Sequence, residues 1–273
     1  TGFMRTWQPW TPPPENQMPP IPKSLIPSPD TWRWLLALFG PPRVTLREAY
    51  GENSGTGTFN HGALDDLLRR CVDGAGFVDY AGLARYAGLL DGYLSRVAAV
   101  DFAGLARDEK LALLINVYNA ATLRLILDHM PVASIRDIPA KARWTARRWT
   151  VGGKTMSLAD IENVELRAKF DEPRIHFAIN CASIGCPKLR NAAFTGPSID
   201  AELAAHTRDV HTGARWLHAT PDGYALSKIY RWYEGDFVQS ANSVQNFAAR
   251  YAPEIAGKPQ RGWLAYDWSL NSA

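Results

Sequence analysis

DEKLALLINVYNAATLRLILDH, residues 108–129, decides the architecture. Its apolar residues recur at three- and four-residue spacing, the period of an α-helix. Leu111, Leu114, Ile115, Tyr118, Thr122 and Leu125 share one face, while Leu113, Val117 and Ala121 fill much of the rest. A helix apolar on nearly every side is a buried one. Asn116 and Asn119 lie inside it, and a buried amide without partners costs about 1 to 3 kcal/mol. Each is therefore expected to tie down a neighbouring loop or, in a functional role, to polarise a substrate carbonyl or orient a catalytic side chain.

Working outward, HGALDDLLRRCV (61–72) and DYAGLARYAGLLDGYLSRVAA (79–99) read as further helices ahead of the buried one. Behind it, RRWTVGGKTMSL (147–158) is a hairpin, because Gly152 and Gly153 permit the positive φ angles of a tight turn. SLADIENVELRAKF (157–170) is a helix with Ser157 as N-cap and Asp160 in its first turn. RIHFAIN (174–180) reads as a short strand, WLHATPDGYALSKI (216–229) as a hairpin turning at Pro-Asp-Gly, and SVQNFAARYAPEI (243–255) as a helix stopped by Pro253. Helices packed around a small, largely antiparallel sheet make an α+β fold.

Residues 1–29 contain nine prolines and suit an extended linker or strap. With the Gly-rich interval GENSGTGTF (51–59), this divides the chain into a proline-rich extension, 1–58, and a single domain, 59–273. TWRWLLALFG (31–40) gives the extension one short helix, docked on the domain or touching a membrane surface peripherally. No run approaches the roughly 20 apolar residues of a membrane span. TGFMRTW at the start has no signal-peptide pattern, so the chain is expected to be intracellular or a mature or trimmed form. Of 273 residues 46% are apolar, enough for a sizeable core. Thirty basic residues against 27 acidic, a net +3, give no basic footprint for nucleic acid. KARWTARRWT (141–150) mixes basic residues with tryptophans, but on a balanced chain it reads as a solvated strand edge.

Three cysteines cannot staple a domain of this size. Cys71 closes an amphipathic helix and reads as a small buried apolar residue. Cys181 and Cys186 fall in RIHFAINCASIGCPKL (174–189), with four residues between them. That spacing matches neither a zinc ribbon nor a thioredoxin-type motif, so no metal is expected. Catalytic nucleophile, redox partner of Cys186, structural disulfide and buried thiol all stay open for Cys181. A thiol where a strand gives way to a loop can meet backbone N–H groups that stabilise its thiolate. On a strand, His176 and Cys181 face opposite ways, so a base from elsewhere in the fold is equally open. The candidates for that base are His206, His211 and His218 at the second hairpin; His206 and His211, about 140° apart on a helix, make a poor metal pair and read as solvated. Glu162 belongs to an outward helix face or to the site. Trp232, Asp236 and Phe237 in YRWYEGDF suit a core edge or a groove wall.

LLINVYNAATL, KTMSLADIEN, PRIHFAINCASIGCPKL, SKIYRWYEGDF and YDWSLN, in that order over residues 60–271, resemble the domain of unknown function 547 family. The resemblance implies one mixed helix-and-sheet domain. Bacterial members often carry secretion signals, which implies a periplasmic or cell-surface home. Relatives keep the first cysteine of the motif while some plant members have serine at the second, which favours Cys181 over Cys186. The family's Ile-Glu-His appears here as Ile161, Glu162 and Asn163.

The expected function is a cysteine-dependent hydrolase or acyl transferase acting on an amide or peptide-like substrate, without a cofactor. Cys181 attacks, His176 or another histidine moves the proton, Asn116 or Asn119 stabilises charge, and Glu162 supports them. Tyr118, Trp232, Asp236 and Cys186 line the binding face. The alternatives are a non-catalytic cell-envelope binding module and a thiol/disulfide redox protein using Cys181 and Cys186. Nothing in the sequence sets the oligomeric state.

Overall fold

Helical periodicity in the first half of the chain produces α1 (Gly62–Cys71), α2 (Tyr80–Arg85), α3 (Ala87–Ala98) and α4 (Arg107–His129). The computed structural model describes residues 41–52 and 54–273. The extended lead, the short helix over TWRWLLALFG and the peripheral membrane contact, all expected from the sequence, fall on residues outside the described ones. From Pro42 to Ala273 the chain forms one compact unit. The 79–99 segment, expected as one helix, is two, because a tight turn ending at Tyr86, whose N–H donates to Leu83 O, redirects a glycine-rich stretch of low helix propensity.

α4 is the axis of the fold, with nearly every side chain from Glu109 to Ile126 buried. Against the expectation that no run is long enough, α4 could cross a membrane by length and composition, yet 83% of its most apolar window is buried inside the protein. The next strands, β1 (Trp149–Val151) and β2 (Lys154–Met156), form the expected hairpin, with Gly152 and Gly153 at φ +54° and +78°. KARWTARRWT, read as one solvated edge, divides: Lys141–Thr145 is a π-helical turn, while Trp149 is buried in β1. α5 starts on a reciprocal cap between Ser157 and Asp160, runs through Leu158–Asp160 and continues as a wider π-helical stretch, Ile161–Leu166.

RIHFAIN is where the sequence misleads. Ile175–Ala178 is a short helix, α6, not a strand, with Ile179 N–H donating to Ile175 O. All four residues are buried, and an apolar run that short has no usable period. α6 straddles two apolar cores. Ile175 and Ala178 join the large core around α4, whereas Phe177 joins a second core with Trp216, Tyr230, Phe237 and Phe247. The second core is enclosed by α7 (Ile199–Thr212), a three-stranded sheet of β3 (Leu217–Thr220), β4 (Gly223–Leu226) and β5 (Gln260–Trp263), and helices α8 (Lys228–Trp232), α9 (Glu234–Ala241) and α10 (Val244–Ala249).

The fold is α+β, but its strands form two separate small sheets, and β5 joins β4 in parallel. α10 ends at Ala249, ahead of Pro253. His206 and His211, expected to be solvated, are buried. They lie on the inward stripe of α7 with Leu203, Thr207 and Val210, and tertiary packing decides which stripe that is. His211 Nδ1 donates to Thr207 O and its Nε2 accepts from Tyr230 Oη at 2.5 Å.

Candidate active site around Cys181

α6 delivers the chain to the seam between the two cores, where the cysteine motif begins. The loop that follows is fixed from below by α4. Asn119 Oδ1 accepts from Asn180 N at 2.8 Å, and its Nδ2 donates to Ala178 O at 3.0 Å. Asn180 then folds the loop on itself, its Oδ1 accepting from Ala182 N at 2.7 Å and its Nδ2 donating to Pro187 O at 2.8 Å. Ala182 is left at φ +60°, a left-handed conformation costing a non-glycine residue about 1–2 kcal/mol. From the other side the C-terminal tail closes down, with Ile184 N donating to Ser269 O and Gly185 N to Asp267 O. A Cβ on Gly185 would stand 2.6 Å from Asp267 N, so only glycine admits this approach.

These contacts leave Cys181 half-buried with its sulfur among hydroxyls. Sγ lies 3.1 Å from Ser183 Oγ and 3.2 Å from Tyr266 Oη, which are 2.9 Å from each other. Cys181 N donates to Cys186 Sγ at 3.2 Å, and both cysteines are free thiols. Hydrogen bonding from Cys186 first, then from Ser183 and Tyr266, outweighs burial and brings the Cys181 thiol down to about 7. Burial pushes Cys186 and Tyr266 well up, so both keep their protons and remain donors.

Glu162, whose charge pushes the Cys181 thiol up, is buried and held by two phenols: Oε1 accepts from Tyr233 Oη at 2.5 Å and Oε2 from Tyr118 Oη at 3.4 Å. Tyr233 stacks on His176, ring centroids 3.8 Å apart. His176 itself looks the other way. Its Nε2 donates to Asp236 Oδ2 at 2.7 Å, and Asp236 receives Arg167 through Nε at 2.7 Å and Nη2 at 2.9 Å. Burial holds His176 below its ordinary range, while Asp236 is held down by hydrogen bonds from His176 and Arg167 against the opposing effect of burial. Asn163 accepts from Arg167 Nη1 at 2.7 Å and so belongs to this same buried network. Among the described residues no histidine hydrogen-bonds to Cys181 Sγ.

The structure thus brings Cys181, Cys186, Glu162 and Tyr118 into one neighbourhood, with Asn119 as the clamp beneath it. Trp232 stands at its rim, 4.8 Å from Tyr266 between ring centroids. His176 and Asp236 are in the ion-paired core behind Tyr233. Asn116 is further along α4, exchanging two hydrogen bonds with the backbone of Phe194. Ser183, Tyr266 and Tyr233 were not singled out from sequence. Each stands inside one of the motifs that carry the family resemblance, and that is the one signal pointing to them.

Residues 102–209 match the model of the family described as "Protein of unknown function, DUF547". No curated protein and no solved structure matches the chain. The DUF547 match spans α4, Glu162 and both cysteines, while Trp232, Tyr233 and Tyr266 lie beyond it.

Proposed function

We propose that this DUF547 protein is a cysteine-dependent acyl-transfer enzyme, a hydrolase or transferase acting on an amide or peptide-like substrate. One observation carries it: a half-buried thiol in a tightly braced loop, brought down to about 7 by surrounding donors. Such a thiol is about half ionised at neutral pH and needs no paired histidine to lose its proton to solvent. Thiolate Sγ attacks the carbonyl carbon, the S–C bond forms and the C–N bond breaks, and the leaving amine takes a proton from solvent. Water, or an amine acceptor, then cleaves the thioester and returns the thiol. Glu162 is the carboxylate nearest in role to a base, taking the proton from that water. The envelope location implied by the family resemblance belongs to the same proposal.

The pairing of Cys181 with Cys186 favours a second reading, a reversible disulfide. Mixing the protein with p-nitrophenyl acetate separates the two. An acyl enzyme gives a burst of nitrophenolate and an acetyl adduct on Cys181, cleaved by hydroxylamine, absent in Cys181→Ala and retained in Cys186→Ser. No adduct in the native chain sinks the acyl-transfer reading, and dependence of all thiol chemistry on both cysteines favours the redox one.

A further inference from the structure

Arg143 presents a guanidinium that the protein leaves largely unmatched. Its Nε is buried and has no hydrogen-bond partner among the described residues, and its Nη1 reaches Ile135 O only at 3.4 Å. Neither Arg143 nor Arg136 has an ion-pairing carboxylate among the described residues. The Arg143 and Arg136 guanidiniums instead lie 5.6 Å and 5.4 Å from the ring centroids of Trp144 and Trp268. A buried donor without an acceptor costs about 1–3 kcal/mol, and a guanidinium cannot escape the cost by deprotonating.

The C-terminal tail runs between the segment that carries this cation and the loop that carries the thiol. Ser134 Oγ donates to Trp268 O at 2.6 Å and Leu270 N to Ala133 O at 2.8 Å, so the arginine-bearing segment lines one edge of the C-terminal tail. The cysteine loop lines the other, through Ile184 N to Ser269 O and Asn271 N to Ala182 O. The electrostatics agree with this placement. Burial and the neighbouring Arg136 push Arg143 down, and the charge of Cys181, followed by that of Asp137, pushes it back up. Glu162 is the anionic neighbour that any incoming anion would also meet.

We infer that Arg143, backed by Arg136, receives a carboxylate of the substrate, so that the carbonyl attacked by Cys181 belongs to a molecule with an anionic group close to the scissile bond. The inference rests on the reading of Cys181 as a nucleophile and narrows its substrate class to acidic amides. Arg143 is the specificity-determining residue, because its planar fork matches a carboxylate.

Two alkylating reagents that differ only in charge test it. Iodoacetate and iodoacetamide both react by the same step, in which the thiolate forms an S–C bond and iodide leaves. The ratio of their rates at one pH therefore cancels the thiolate fraction. For Cys181 in the full chain, resolved by peptide mass spectrometry, the iodoacetate-to-iodoacetamide ratio should exceed that of the urea-unfolded chain about tenfold or more. Arg143→Gln should return it to the unfolded value and Arg143→Lys should keep part of the preference. Arg136→Gln, at an exposed position, should lower the ratio less, and added salt should lower it in the native chain. An unchanged ratio in Arg143→Gln, or a native ratio equal to the unfolded one, overturns the inference and leaves the nucleophile standing. Inertness of native Cys181 to both reagents overturns the nucleophile and the inference together.

Discussion

At the scale of single residues, the Cys181 thiol is governed by what donates to it. Each donor removed from a thiolate raises its pKa, and one unit corresponds to 1.36 kcal/mol. Cys186→Ala removes the largest contribution and should move the pH midpoint of Cys181 alkylation from about 7 toward the free-thiol value of about 8.5. Tyr266→Phe should move it the same way by less. Glu162→Gln should act oppositely, because the Glu162 charge raises the Cys181 pKa. If Glu162 also takes the proton of the attacking water, the variant becomes a better nucleophile and a slower enzyme. A midpoint that rises in Glu162→Gln would contradict the placement of that carboxylate.

At the scale of elements, α4 holds the site in place through one amide. Asn119→Ala loses one bond to the end of α6 and one to the cysteine loop, and should lower unfolding free energy by about 1–3 kcal/mol in a urea titration. Freed from its clamp, Cys181 should then titrate closer to an ordinary thiol. A loss of stability with no change at Cys181 would separate the clamp from the site. Behind Tyr233, Asp236→Ala leaves Arg167 buried without its carboxylate and should cost about 3–5 kcal/mol.

These elements also mark what could be read from sequence. α4 and both hairpins were legible because their signals are local: apolar period in the first, Gly-Gly and Pro-Asp-Gly turns in the others. α6 was not, since four apolar residues bracketed by loops fit strand and helix alike. The Cys181 to Tyr266 contact joins residues 85 positions apart, and nothing local announces it. His176 was named as a base from proximity in sequence, whereas its ring nitrogen is directed at Asp236, 60 residues away.

At the scale of the whole molecule, buried neutral histidines make the fold acid-sensitive. Burial holds His206 and His211 at about 4, against an ordinary 6.5. Below 6.5 the unfolded chain binds protons that the folded chain refuses, so unfolding free energy should fall as pH drops from 6.5 to about 4. Asp236 has the opposite origin. Its folded pKa is depressed, so its stabilising effect persists through that window and is lost only at lower pH, below 3.8. Urea midpoints measured across the window check this, and a flat profile would contradict the burial of the two histidines.

Whether Cys181 is an activated thiol is read from its alkylation rate by iodoacetamide as a function of pH, resolved from Cys71 and Cys186 by peptide mass spectrometry of the native chain. Cys181 should label fastest of the three, with an inflection at about 7, while buried Cys71 and Cys186 stay slow. Labelling of Cys181 only after unfolding, or an inflection at or above the free-thiol value of about 8.5, would show an ordinary thiol and no nucleophile.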